Sequence, residues 1–129
     1  MSNRKFDLII FGVTGYCGVY CLRNIFKIEE TEQKCYRFAV ASRSREKIKS
    51  VLERVGKELN RNLIKEIEII EANVTDYSSL IEMTKQCRVL INVVGPYIEY
   101  GRPVVEACIE VLFFAISTQT FTFTINRLH

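Results

Sequence analysis

The chain has 129 residues, a formal net charge of +3, 48% hydrophobic and 26% charged residues. That length allows about one ordinary domain, and the balance is that of a globular chain rather than a disordered one. No Lys/Arg block is long enough for a nucleic-acid arm, which excludes nucleic acid as an expected partner, while the mild positive charge suits an anionic small molecule.

Phe6 to Phe11 is a short run, apolar but for Asp7, in the pattern of a strand buried on both faces. Asp7 and the glycines from Gly12 onward interrupt it too soon for a secretory signal, whose apolar core needs about 7–15 residues. No stretch reaches the roughly 20 apolar residues of a membrane span. A helix is expected from Gly15 or Tyr16 to Lys27, with Val19, Leu22, Ile25 and Phe26 at helical spacing. Ile28 to Arg37 is polar and reads as a surface connection, and Tyr36 to Ser42 is the second strand. Ser44 is placed to cap the next helix, in which Ile48, Val51, Leu52, Val55 and Leu59 share one face.

A polar turn at Asn60 to Asn62 leads to a third strand, Ile67 to Val74, and Asp76 is placed to cap a short helix ending near Gln86. Arg88 to Val94 is the fourth strand, again apolar enough for burial on both faces, and Gly95 and Pro96 end it. Arg102 to Glu110 reads as a helix with Pro103 in its first turn. Strands alternating with helices at this pace predict a parallel sheet with crossover helices, a doubly wound α/β domain.

The chemistry concentrates where the first strand meets the first helix. Gly12 allows a tight turn, Gly15 removes a Cβ that would block a pyrophosphate, and Gly18 lets the helix pack close. The helix N-terminus then offers N–H groups and its positive dipole end to phosphates. The spacing is GxxGxxG and no Lys-Ser/Thr follows, so the context points to a dinucleotide rather than a nucleoside triphosphate.

In NAD-binding domains an acid at the second strand's tip holds the adenosine ribose. Here the tip reads Ser42, Arg43, Ser44, with Arg45 and Lys47 behind. Arg43 offers a planar fork to a 2′-phosphate, and Ser42 or Ser44 a hydroxyl, which favours NADP over NAD. The other reading of these cations is a solvated basic first turn. At the third tip, Asn73 and Val74 either flank an adenine or form plain turn chemistry. At the fourth, Gly95 and Pro96 either lie beside the second ribose or simply end the strand, and Tyr97 is placed to edge the nicotinamide pocket.

Cys17, Cys21, Cys35, Cys87 and Cys108 are scattered without a CxxC pair, and His129 is the only histidine, so no metal-ligand set exists. The cysteines read as buried or half-buried thiols of a reducing, intracellular compartment such as the cytoplasm. There is no Tyr-x-x-x-Lys pair or GxSxG elbow, and His129 has no triad partners, so no catalytic residue is assigned.

The segments "LIIFGVTGYCG", "AVASRSREKIKSVLE" and "LINVVGPYIEYGRPVVEACIE" together resemble the N-terminal cofactor domain of saccharopine dehydrogenase-like oxidoreductases, over about Phe6 to Glu110. The resemblance implies a Rossmann-type domain (1–110) that binds a nicotinamide cofactor and is followed by a larger domain completing the active site. It carries roles onto Gly12, Thr14, Gly15, Tyr16, Gly18, Arg43, Asn92, Gly95 and Pro96. Asn73 departs from it, standing where an acid is common in the family. It further implies that animal members associate with lipid droplets or other membranes.

After Glu110 the family pattern gives way to "VLFFAISTQTFTFTINRLH" (111–129), where Phe113 to Ser117 and Thr120 to Ile125 read as one or two extra strands. The expectation is a sheet incomplete at its C-terminus, a truncated product without its substrate domain, whose apolar edge favours a homo-oligomer. The expected function is hydride transfer by a nicotinamide cofactor on an unknown substrate, with ties to lipid metabolism. The alternative is a cofactor-binding module without activity.

Overall fold

Strands and helices alternate along the chain in the computed structural model, which describes residues 4–94, 97–114 and 121–122. The elements are β1 (Phe6–Phe11), α1 (Tyr16–Glu32), β2 (Phe38–Ser42), α2 (Arg45–Leu59), α3 (Leu63–Glu66), β3 (Glu68–Glu71), α4 (Tyr77–Thr84), β4 (Cys87–Asn92), α5 (Tyr97–Phe114) and β5 (Phe121–Thr122). The strands form one parallel sheet in the order β3-β2-β1-β4-β5. The chain thus steps outward from β1 to β3 and then returns to the other side of β1, so the sheet is doubly wound.

Period-two alternation sorts the strand residues onto two cores. Ile10 and Val40 pack with Val19, Leu22 and Phe26 of α1, with Ile48, Leu52 and Val55 of α2, and with Leu63 of α3. Ile9, Phe11, Ala39, Ala41 and Leu90 face the other way, against Leu80 and Met83 of α4 and Val104, Ala107 and Cys108 of α5. The apolar face read in α2 is buried as expected, except that Leu59 is exposed. β4 is less covered than its apolar run suggested: Leu90 and Asn92 are buried, while Val89 and Ile91 are only half-buried.

Several boundaries move, each for a physical reason. α1 continues through the polar segment read as a connection and stops at Gln33, which adopts φ 51°. Glu is a good helix former, and no Gly or Pro interrupts the run, so polarity there marks a solvated helix face. Glu29 and Glu32 in that last stretch accept the Tyr36 backbone N–H and hydroxyl, at 2.8 Å each. The α3 turn was not legible as a separate element.

Asp76 occupies the N-cap position of α4 without capping through its side chain. Ser79 Oγ does the local work instead, accepting the Asn73 N–H at 3.0 Å and donating to the Asp76 carbonyl at 2.7 Å. α5 begins five residues before Arg102, so Pro103 stands inside the helix rather than in its first turn. The helix carries on through it without the N–H that proline lacks.

α5 also runs past residue 110 to Phe114, so Phe113 and Phe114 are helical rather than part of a strand, and 115–117 lie outside the described residues. Of the second tail strand, Phe121–Thr122 is seen, paired with Val89 and Leu90 of β4.

None of the five cysteines forms a disulfide: Cys87 and Cys108 are buried and Cys21 is intermediate, but Cys17 and Cys35 are exposed, contrary to the expectation of burial or half-burial. Burial pushes the Cys87 thiol up from 9.0 to about 12.

Candidate functional site

Four strand tips meet at the carboxyl end of the sheet, where β1 and β4 lie side by side and the chain direction of winding reverses. In open α/β sheets this crevice is where ligands bind. A cavity of about 290 Å³ opens there, lined by Phe11, Gly12, Thr14 and Gly15 after β1, by Ser42 and Arg43 after β2, by Ala72 to Thr75 after β3, and by Val93 and Val94 after β4. Ligand pockets start at roughly 300 Å³, so the cavity holds part of a dinucleotide rather than all of it.

The three glycines do different jobs. Gly12 has φ +97°, and a Cβ there would lie 2.8 Å from the Val94 backbone nitrogen, so both backbone conformation and the approach of β4 demand glycine. At Gly18 a Cβ would come within 2.1 Å of the Gly12 carbonyl oxygen, which makes it the contact that lets α1 sit on the turn. Gly15 is different: a Cβ there meets only the Gly12 carbonyl oxygen, at 3.6 Å. Packing does not require that glycine, and its effect is to leave the cavity wall as bare backbone. Gly15 is also the N-cap of α1, with no side chain capping the helix and no acid in its first turn. Its first N–H groups therefore suit an anion, and a pyrophosphate fits this cradle.

Thr14 Oγ1 and Ser42 Oγ lie 3.2 Å apart and hydrogen-bond, tying the glycine turn to the tip of β2. Arg43 follows, exposed, and has no ion pair or hydrogen bond among the described residues. Among the described residues it is the one charged side chain in the cavity wall. Ser44 caps α2 as expected, accepting the Lys47 N–H at 3.3 Å. Arg45 is engaged elsewhere: its Nε donates to Glu71 Oε1 at 3.0 Å, and Glu71 pairs in register with Ser42. A solvated basic turn would leave both arginines alike, whereas here one is held and one is open.

Asn73 and Val74 line the cavity. Asn73 Oδ1 is used locally, accepting the Thr75 N–H at 3.0 Å and the Thr75 hydroxyl at 2.9 Å. Turn chemistry and a place in the cavity wall thus coexist at this tip. Tyr16, the first residue of α1, is 93% exposed and does not line the cavity. Asn92 is buried behind the wall, where its Oδ1 accepts the Val94 N–H at 3.2 Å and shapes the tip of β4. Gly95 and Pro96 lie outside the described residues. Missed in the sequence were Thr75, Val93 and Val94 as wall residues and the Thr14–Ser42 bond. The first three adjoin recognised tips and were findable, but a bond between residues 28 apart was not.

The chain matches the family described as "Saccharopine dehydrogenase NADP binding domain" over residues 8–123. Similar proteins include the saccharopine dehydrogenase-like oxidoreductase of Bos taurus, 42% identical over 112 residues, which are 84% of this chain and 26% of that protein. The human counterpart is 41% identical over the same length, and a Caenorhabditis elegans relative named "Lipid droplet localized protein" is 35% identical over 106 residues, 82% of this chain and 24% of that one. The chain spans about a quarter of the length of these curated relatives. Among solved structures, yeast saccharopine dehydrogenase (L-Glu forming) from Saccharomyces cerevisiae shares the fold with a TM-score of 0.59 at 16% identity, covering 95% of this chain and 24% of that one. Triphenylmethane reductase from Citrobacter sp., solved with NADP(H), gives 0.58 at 16% identity, covering 81% and 34%. The chain belongs to the saccharopine dehydrogenase NADP-binding domain family, and its cofactor is NADP.

Proposed function

We propose that the chain holds NADP across the carboxyl ends of β1 to β4, with its pyrophosphate on Gly12, Thr14, Gly15 and the start of α1 over Gly18, beside Tyr16. Arg43, helped by the hydroxyls of Ser42 and Ser44, reads the 2′-phosphate. Asn73 and Val74 flank the adenine, and Asn92, Gly95 and Pro96 shape the second ribose seat. The observation that carries this reading is Arg43: an exposed guanidinium without a partner among the described residues, at the tip where an NAD site would place an acid. When bound, the cofactor supplies hydride transfer. The chain's part is to bind and orient it.

The described wall residues include no carboxylate, imidazole, amine or phenol to move a proton. This favours a second reading in which these residues form a cofactor module, with proton donor and substrate contacts supplied from outside them. Titration with NADPH and NADH, followed by cofactor fluorescence, tests the binding. Arg43→Asp should cost NADPH about 1.5–3 kcal/mol, the scale of a charge-assisted hydrogen bond, and leave NADH little changed. Failure to bind either cofactor rejects the proposal, and an unaltered NADPH preference rejects Arg43 as the reader.

Two further proposals concern partners. One is a lipid-droplet surface, supported by the worm relative's name; no described helix is long and apolar enough to cross a membrane. Cell fractionation that leaves the chain off droplets removes this proposal. Self-association is supported by β5 pairing with only Val89 and Leu90 among the described residues, and a monomeric mass in solution rejects it.

A further inference from the structure

The Arg45–Glu71 pair stands immediately beside the proposed phosphate seat without lining it. Glu71 ends β3 opposite Ser42, one strand over from the tip that carries Arg43. A carboxylate so placed repels a phosphate dianion and is chemically able to accept a ribose 2′-hydroxyl, which is how NAD sites use their acid. Arg45, at the start of α2, holds that carboxylate with a 3.0 Å bond between Nε and Oε1. Both side chains are about half exposed, so the pair adds little to stability. Its effect on the local field is larger than its effect on the fold. With the pair intact, the charge facing the 2′-phosphate is that of Arg43.

We propose that the Arg45–Glu71 pair sets cofactor preference: Arg45 cancels a carboxylate that would otherwise oppose NADPH and favour NADH. Arg45 is then a positioning residue that acts through Glu71, not a phosphate ligand. This rests on Arg43 reading the 2′-phosphate, and the experiment separates the two claims.

NADPH and NADH are titrated against the unsubstituted chain and against Arg43→Ala, Arg45→Ala, Glu71→Gln and the double variant Arg45→Ala/Glu71→Gln. Circular dichroism checks that each is folded. Arg45→Ala should weaken NADPH roughly tenfold by exposing the carboxylate, while NADH holds or tightens. Glu71→Gln should tighten NADPH by about threefold, since one negative charge is gone. The double variant restores the original charge balance and should bind NADPH within about threefold of the unsubstituted chain.

A double variant as weak as Arg45→Ala alone would make Arg45 a direct phosphate contact and overturn the inference. So would an Arg45→Ala variant whose NADPH and NADH affinities fall together. If instead Arg43→Ala keeps the full NADPH preference, or the unsubstituted chain binds no NADPH, the reading of the seat itself fails and the inference falls with it. Loss of preference in Arg43→Ala, with no response to Glu71→Gln, removes the inference alone.

Discussion

The two ends of the same sheet are built on opposite principles. At the amino end the charges are spoken for: Lys5 pairs with Glu68 at 2.9 Å, Arg37 with Asp7 at 3.3 Å, and Arg61 with Glu66, while buried Arg4 donates to the Thr84 carbonyl at 2.7 Å. Burial pushes the Asp7 carboxyl up, but the Arg37 backbone N–H and guanidinium outweigh it and hold the group below its usual range. At the carboxyl end the polar part of the described wall is glycine backbone, hydroxyls, an amide and one open guanidinium. The amino end spends its polar groups on holding strands together. The carboxyl end, apart from the Arg45–Glu71 pair and the Thr14–Ser42 bond, keeps its polar groups facing a cavity, as a binding site must, and takes much of its rigidity from close backbone packing.

Breaking that close packing should have the largest effect. Gly18→Ala puts a Cβ 2.1 Å from a backbone carbonyl oxygen, so α1 must shift from the turn. A loss of about 3 kcal/mol in urea unfolding is expected, together with loss of NADPH binding. A variant as stable as the parent would show that the contact is slack.

The amino end has its own weak point in Cys87, opposite Phe6 in the sheet. Because the folded thiol holds its proton to about pH 12 and the unfolded one only to 9.0, the unfolded state alone ionises between these values. Stability should be flat with respect to this group below pH 9 and then fall by about 1.4 kcal/mol per pH unit. Cys87→Ala should remove that component of the alkaline slope. If the slope is unchanged, another group carries it.

Thr14→Val tests the link between glycine turn and phosphate-reading tip, and should cost about 0.5–1.5 kcal/mol of stability and weaken NADPH more than NADH. Equal weakening of both cofactors would confine Thr14 to the pyrophosphate. The smallest effect belongs to the exposed ion pairs. Lys5→Ala should change stability by less than about 1 kcal/mol and leave both cofactors' affinities alone, which completes the contrast between the ends.

Much of this division could be read from the chain because it follows local chemistry. A glycine triplet between an apolar run and a helix marks the carboxyl end of β1, and Ser42-Arg43 marks that of β2. Even the Ser44 cap is a matter of three residues. Where the reading failed, either helix propensity was given too little weight or the deciding contact was not local. The polar stretch after Lys27 stays helical because its glutamates are good helix formers and are answered by Tyr36. Arg45 read only as a cation behind the tip, and nothing in the sequence announced that β3 would place Glu71 beside it. No spacing rule pairs residues from separate strands before the register is known.

The bond between Thr14 and Ser42 has a consequence for proton geometry. Two hydroxyls carry two protons, and a single shared bond uses one of them, whichever oxygen gives it. The remaining proton always sits on the accepting partner, free to point away from the pair. Reversing the donor moves that spare proton from the glycine turn to the tip of β2, or back, by rotating two hydroxyls with no heavy atom displaced. The pair can thus answer a negative charge on either flank of the cavity with the same two side chains.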